Sequence, residues 1–233
     1  MSVLSNSLGV GKFPILCYVT DRKSLSLQVS SANVAALVEK IATLARAGVD
    51  WVQIREKDLS ARQLTGLARG ALRCVPVHPD KDPGMTRILV NDRFDVALTA
   101  AAGGVHLGES SLPVGDVKLF VRSFVSAKDF MLGVSCHSLE SVKAATSSGA
   151  DYVFFGPVFA TPSKAAFGEP HGVRRLAEVC RSVPIPVLAI GGITVANAGE
   201  CFAAGAAGIA AIRLFQDAPE PAAAVEALRR KEP

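Results

Sequence analysis

Polar side chains follow several short apolar runs of this sequence, and their types suit the binding of an anion. Gln53, Arg55 and Lys57 alternate at the end of one such run, so in an extended strand they share one face. Two cations beside a neutral amide favour a phosphate-rich ligand. Ion pairs with Asp92 or Glu109 are the structural alternative.

A second group of phosphate-type residues follows the apolar run Tyr152–Phe155. Thr161, Ser163 and Lys164 lie in the loop beyond that run, which also contains glycine. Hydroxyls, an ammonium group and exposed backbone N–H groups after a buried strand suit a phosphate ester. The loop therefore predicts a binder of, or an enzyme for, a phosphorylated small molecule.

Other polar residues after apolar runs each have two interpretations. Asp92 directly opens a predicted helix, where it could cap the helix or, beside Asn91, hold Mg²⁺. His137 follows Ser135 and could be a general acid or base, although a lone histidine at a helix start is more often structural. His106 follows another apolar run and has the same two interpretations, catalytic or structural.

The composition limits the class of protein. The 233 residues are 49% hydrophobic and 20% charged, which is enough apolar material for one large domain. The net charge of +4 comes from scattered basic residues, which is atypical of nucleic-acid-binding proteins. No apolar run reaches the roughly 18 residues of a membrane span. We expect small phosphorylated molecules as partners, not nucleic acid or a membrane, and a homo-oligomer stays open.

The N-terminal segment and the cysteines indicate the cellular compartment. Residues 1–13 lack the pattern of a signal peptide and are expected to form a loose leader. The 5 cysteines form no CxxC pair, which favours a reduced protein over a disulfide framework. A cytoplasmic protein is therefore predicted.

Short apolar runs alternate with amphipathic stretches along the chain. About eight strands and about eight helices are predicted in this way. They include the strands Ile15–Thr20 and Phe130–Val134 and the helices Ala61–Cys74, Asp92–Ala102, Ser138–Ser148 and Thr194–Ala204. Strict alternation with continuously apolar strands implies a parallel sheet covered on both faces. We predict an α/β fold, a single (β/α)8 TIM barrel over residues 14–233. An open doubly wound sheet is the alternative, but no glycine fingerprint follows the first strand.

In such a barrel the carboxyl ends of the strands meet at one mouth, which would gather the polar residues named above. Gly191 and Gly192 follow the seventh predicted strand, where backbone N–H groups commonly cup a phosphate; a tight turn is the alternative. Ile212 and Arg213 follow at the end of the eighth strand and are predicted to line the substrate site, although Arg213 could equally be a surface residue.

Seven motifs together resemble the thiamine phosphate synthase family. In order they are YVTD at Tyr18–Asp21, VQIREK at Val52–Lys57, VNDRFDVAL at Val90–Leu98, GVHLG at Gly104–Gly108, GVSCHS at Gly133–Ser138, GADYVFFGPVFATPSK at Gly149–Lys164 and PVLAIGGIT at Pro186–Thr194. The resemblance runs to about Ile212. It covers most of the chain, and its motifs are specific jointly rather than singly.

The resemblance implies a barrel enzyme that joins a hydroxymethylpyrimidine diphosphate to a thiazole phosphate and releases pyrophosphate, with Mg²⁺ as the cofactor. In the family, the pyrimidine methylene leaves as a carbocation and the thiazole nitrogen captures it. Such chemistry needs cations and a metal around the pyrophosphate rather than a nucleophile on the protein.

The resemblance also assigns roles by position. It implies pyrimidine and pyrophosphate binding by Gln53, Arg55 and Lys57, a metal and pyrophosphate region at Asn91 and Asp92, a pyrophosphate contact at Ser135, the T-x-T-K loop at Thr161, Ser163 and Lys164, and the thiazole phosphate cup at Gly191 and Gly192. The predicted catalytic residues are Lys164, Ser135 and His137.

Two departures from the family pattern concern charge. Ser111 stands where the family usually has an aspartate that binds Mg²⁺, and Glu109 stands in place of a glutamine. Serine is a poorer ligand for a hard cation than carboxylate, so Asp92 and Glu109 are the predicted metal ligands. Arg213 replaces the family's usual serine after the eighth strand.

Two other functions stay open. The related thiazole tautomerase keeps the barrel and the phosphate cup but lacks the metal site, and it would use His137 for proton transfer. A tautomerase would not need the intact residues of the diphosphate region, Gln53, Arg55, Lys57, Asn91 and Asp92, which favours the synthase. The alternative from another class is a non-catalytic sensor of thiamine phosphates, which would bind without turnover.

Overall fold

The computed structural model describes residues 14–25, 34–75, 86–124, 129–161 and 169–230. The strands within these ranges are β1 (Ile15–Val19), β2 (Trp51–Ile54), β3 (Arg87–Asn91), β4 (Gly104–Leu107), β5 (Met131–Cys136), β6 (Tyr152–Phe155), β7 (Val187–Ile190) and β8 (Gly208–Ala211). Each strand pairs in parallel with the next, and β8 pairs with β1. The sheet is a closed barrel, as predicted.

Helices connect the strands. They are α1 (Val34–Arg46), α2 (Ala61–Cys74), α3 (Phe94–Ala100), α4 (Val114–Phe124), α5 (Leu139–Ser147), α6 (Gly172–Ser182), α7 (Ala198–Ala203), α8 (Arg213–Gln216) and α9 (Pro221–Arg229), with a 3-10 turn at Arg22–Ser24. None of the helices in the described ranges is long and apolar enough to cross a membrane.

Alternate residues of each strand face the barrel interior or the surrounding helices. The interior cluster consists of Ile15, Cys17, Val19, Trp51, Leu89, Met131, Tyr152, Phe154, Leu188 and Ala210. The opposite strand faces pack against the helices in a larger apolar cluster. Because both faces are apolar, the strands read as unbroken hydrophobic runs.

Serine side chains cap two of the helices. Ser60 accepts a hydrogen bond from the backbone N–H of Gln63, and Ser138 accepts one from that of Ser141; both are capping boxes. These caps fix the points at which the loops after β2 and β5 end and the helices begin.

Several elements differ from the predictions. Strand β5 continues past Val134 to Cys136. Helix α7 begins at Ala198 rather than Thr194, because the Asn197 side chain accepts from the Thr194 backbone N–H and holds a turn first. The short helix α8 was not predicted; four residues carry too little periodicity to be recognised.

Candidate active site at the barrel mouth

Gln53 and Asn91 form a pair of amides at the mouth. Gln53 at the end of β2 is 2% exposed, and its Nε2 donates to Asn91 Oδ1 at 2.8 Å. The two strands are neighbours, so their carboxyl ends bring the side chains together. The contact fixes the orientation of both amides.

The acidic and basic residues that follow Gln53 lie in different surroundings, as their alternation along the chain predicts. Glu56 is buried on the far side, where Thr20 Oγ1 donates to it at 2.6 Å and Arg22 pairs with it at 3.0 Å. Arg55 is half-buried and Lys57 exposed. Among the described residues neither cation forms an ion pair, so the predicted alternative of a network with Asp92 or Glu109 is not observed.

Asp92 is held by Ser111 and does not act as the cap of α3. The helix begins at Phe94 with Arg93 at its N-cap, so the predicted start at Asp92 is wrong. Asp92 has φ +64, a left-handed conformation that aspartate tolerates better than most residues. Its Oδ1 accepts from Ser111 Oγ at 2.5 Å, and the same Oγ accepts from the Gly108 backbone N–H at 2.7 Å.

Glu109 follows Gly108 in the chain and is exposed to solvent. Within the described ranges no three His, Cys, Asp or Glu side chains group closely enough to hold a metal ion by themselves. Asp92 and Glu109 therefore stay a prediction as metal ligands.

Ser135 connects the mouth to the barrel interior. Its Oγ lies 2.9 Å from His106 Nε2, and His106 Nδ1 lies 3.0 Å from the Tyr152 hydroxyl. His106 is fully buried, and burial, with a contribution from Arg55, lowers its pKa to about 3. The imidazole is therefore neutral at physiological pH. Tyr152 was not predicted as a site residue, although a tyrosine in a buried strand usually needs a partner for its hydroxyl.

His137 lies at the mouth with one nitrogen already engaged. Its Nδ1 donates to the carbonyl oxygen of Gly156, which can only accept, so Nδ1 carries a proton. The ring of His171 is nearby and stacks on Phe155 with centroids 4.9 Å apart. Burial, then the charges of His137 and Arg175, lower the pKa of His171. His171 was not predicted as a site residue.

Gly191 and Gly192 have positive φ values of +97 and +66. A Cβ at Gly191 would lie 2.6 Å from Pro157 Cβ, and one at Gly192 would lie 2.5 Å from the Ala160 carbonyl oxygen. Only glycine fits here, because the loops after β6 and β7 touch through their backbones. The phosphate cup at Gly191 and Gly192 stays a prediction, and so does its alternative, a tight turn.

The remaining predicted site residues belong to the loop after β6 and to the segment after β8. Thr161 is half-buried at the end of the loop after β6, whereas Ser163 and Lys164 lie outside the described residues. Ile212 packs against the interior cluster and is the N-cap of α8, and Arg213 is the exposed first residue of that helix. A short extra helix after the eighth strand commonly completes a phosphate site in such barrels.

Comparison with known proteins decides the family. Residues 16–215 match the family described as thiamine monophosphate synthase. The chain belongs to this family. The match covers the barrel from β1 to α8, so every residue of the mouth described above lies within it.

Relatives of known name agree with the assignment. The chain is 38% identical to the thiamine-phosphate synthase of Roseiflexus sp. strain RS-1 over 92% of this chain and 83% of that protein. It is 42% identical to the thiamine-phosphate synthase of Methanocella arvoryzae over 77% and 80% of the two chains. The solved structure of thiamine phosphate pyrophosphorylase from Pyrococcus furiosus superimposes with a TM-score of 0.75 and 31% identity, covering 98% of this chain and 96% of the other. The predictions of a synthase-family transferase and of a TIM barrel are confirmed.

Proposed function

We propose that this member of the thiamine monophosphate synthase family joins a hydroxymethylpyrimidine diphosphate to a thiazole phosphate and releases pyrophosphate. The observation that carries the proposal is the pair of cations Arg55 and Lys57 beside the Gln53–Asn91 amide pair. Cations at the mouth without a carboxylate partner among the described residues suit a polyanion. We infer a cytoplasmic location from the 5 free cysteines.

Each part of the mouth has a role in this proposal. The Gln53 and Asn91 amides recognise the pyrimidine and its diphosphate, while Arg55 and Lys57 neutralise the charge that grows on the leaving group. Ser135 donates to the same diphosphate. Other groups close the site: Thr161, Ser163 and Lys164 bind the diphosphate from the loop after β6, and Gly191, Gly192, Ile212 and Arg213 hold the thiazole phosphate.

The residues present fit a magnesium ion that arrives with the diphosphate. Mg²⁺ in phosphate-transfer sites commonly uses one or two carboxylates together with substrate phosphates and water. Asp92 supplies one carboxylate, and its second oxygen is not engaged by Ser111 in the structure. Glu109 would be the other carboxylate ligand of the proposed site. When bound, the ion neutralises the departing pyrophosphate.

The direct test is formation of thiamine phosphate from both substrates and Mg²⁺ by the purified chain. We expect Arg55→Ala and Lys164→Ala to lower the rate strongly. Arg62→Ala is the matched control, because Arg62 is an exposed arginine on α2. Absence of product above the Lys164→Ala background would contradict the proposal, and ligand binding without turnover would favour the sensor.

Thiazole tautomerisation is a second candidate, favoured by the geometry of His137. With its proton held on Nδ1 by Gly156, a neutral imidazole has Nε2 available to accept a proton. This activity would need no metal and would be lost in His137→Ala. An undiminished rate in that variant would remove the role, and a strict Mg²⁺ requirement would argue against the reaction.

A further inference from the structure

Three polar side chains form a line through the apolar barrel interior. The Tyr152 hydroxyl, the His106 ring and Ser135 Oγ are joined by contacts of 3.0 and 2.9 Å. Tyr152 and His106 are completely buried, whereas Ser135 is half-buried at the mouth. The line therefore runs from the closed interior to the proposed diphosphate.

Strand register explains how the line forms. His106 on β4, Gly133 on β5 and Tyr152 on β6 are consecutive partners at one level of the barrel. A Cβ at position 133 would lie 2.0 Å from Tyr152 Cζ, so the tyrosine ring crosses the space that a side chain would fill. Glycine at this position therefore permits the contact with His106. The His106 ring is also held by Phe154, with centroids 4.1 Å apart.

The direction of the hydrogen bonds follows from what surrounds Tyr152. In the described part of the chain its hydroxyl has a single hydrogen-bond partner, His106 Nδ1. If Nδ1 carried the proton, the Tyr152 hydroxyl proton would have no acceptor in this dry interior, which is unfavourable. Tyr152 therefore donates to Nδ1. A neutral ring then carries its proton on Nε2 and donates to Ser135 Oγ.

This direction determines what Ser135 offers to a ligand. Because His106 donates to its oxygen, the hydroxyl proton of Ser135 is not used within the line and can be donated into the mouth. If the His106 proton were on Nδ1 instead, the Ser135 hydroxyl would donate to Nε2 of His106. Only the lone pairs of the Ser135 oxygen would then face the ligand. An anion would be repelled by those lone pairs.

We propose that Tyr152 and His106 are positioning residues that keep the Ser135 hydroxyl oriented as a hydrogen-bond donor to the diphosphate. The inference rests on the proposed function, because it takes the diphosphate to lie beside Ser135. Its first half, the tautomer of His106, is a property of the free protein and can be measured without substrate.

The experiment has two parts on the full chain. Nitrogen-15 NMR of the histidine-labelled protein, with His106→Gln to assign the signal, reports which ring nitrogen carries the proton. Calorimetry then measures binding of inorganic pyrophosphate with Mg²⁺ to the unsubstituted chain, Ser135→Ala, Tyr152→Phe and the double variant. Tyr18→Phe is the matched control, since it removes another buried hydroxyl, one that donates to Gln216 at 2.7 Å on the outer side of the barrel wall.

We expect His106 to carry its proton on Nε2, and we expect part of the population to carry it on Nδ1 in Tyr152→Phe. Ser135→Ala should weaken pyrophosphate binding about tenfold and Tyr152→Phe about threefold, while the double variant should equal Ser135→Ala. Tyr18→Phe should bind like the unsubstituted chain. Thermal unfolding of each variant verifies that the barrel is intact.

Different failures have different meanings. A proton on Nδ1, or additive effects of the two substitutions, would overturn the positioning role while leaving the diphosphate site in place. Failure of the unsubstituted chain to bind pyrophosphate would overturn the proposed function and, with it, the donor role of Ser135.

Discussion

Ser111 Oγ donates to Asp92 Oδ1 across 2.5 Å and so joins the loops that follow β4 and β3. A second carboxylate at position 111 would repel Asp92 unless a cation lay between them. The serine instead holds the single carboxylate in place with a neutral group. This contact between the two loops therefore needs no metal ion.

Ser111→Asp should consequently raise the affinity for a divalent cation. We expect Mn²⁺, used as a spectroscopic substitute for Mg²⁺, to bind on the order of tenfold more tightly, because ligand charge sets the affinity of such sites. Electron paramagnetic resonance titration of the free protein measures it. Without metal, this variant should unfold at a lower temperature than Ser111→Ala, and added Mn²⁺ should reverse the difference. Equal Mn²⁺ affinity in the variant and the unsubstituted chain would show that position 111 does not contact the metal.

Arg55→Ala should weaken pyrophosphate binding by about ten- to a hundredfold, the usual size of a charge-assisted hydrogen bond. Glu56 forms its ion pair with Arg22, so it is not the anion that Arg55 neutralises. Binding should also depend less on salt in this variant than in Arg62→Ala, because one charge contact is missing. Calorimetry at two ionic strengths measures both effects. Identical salt dependence in the two variants would place the anion elsewhere.

Gly191→Ala should raise the KM for the thiazole phosphate and leave the KM for the diphosphate substrate unchanged. The new Cβ would press on Pro157, and a non-glycine residue at φ +97 costs about 1–2 kcal/mol. Gly66→Ala on α2 is the control, since nothing lies within 4 Å of its added Cβ and alanine favours a helix. Steady-state kinetics with each substrate varied in turn tests this. A rise in KM for the diphosphate alone would reverse the assignment of the two phosphate sites.

Burial of His106 predicts a pH dependence of stability. Its pKa is about 3 in the folded chain against an ordinary value of 6.5, so below pH 6.5 the unfolded chain binds a proton that the folded chain does not. The free energy of unfolding should therefore fall as pH decreases from 6.5 toward 3, by up to about 1.4 kcal/mol per pH unit. Urea unfolding between about pH 7 and pH 5, where most carboxylates stay ionised, measures this slope. His106→Gln should flatten it, and an unchanged slope would assign the proton uptake to another group.

The barrel could be predicted from the sequence because each βα unit has its own periodicity. Apolar runs such as Val187–Ile190 and capped helices such as Ala61–Cys74 are local signals, and they matched the structure. Asn91 and Gln53 were expected at one mouth for the same reason, since neighbouring parallel strands end at the same edge. The four-residue helix α8 carried no such signal.

Contacts that depend on barrel stagger could not be predicted. Tyr152 reaches His106 only because the register places Gly133 between them, and strand alternation does not determine that register. The contact of Ser111 with Asp92 likewise requires the left-handed conformation at Asp92, which the sequence does not reveal. For this reason Asp92 was equally well explained as a helix cap.

The proposed transferase reaction is best tested by measuring both products while the thiazole phosphate or Mg²⁺ is omitted in turn. With both substrates and Mg²⁺, we expect one pyrophosphate to be released for each thiamine phosphate formed. Omission of the thiazole phosphate or of Mg²⁺ should abolish formation of thiamine phosphate. Conversion of a thiazole carboxylate phosphate without metal, together with no thiamine phosphate from the complete mixture, would show that the protein is a tautomerase and not the proposed transferase.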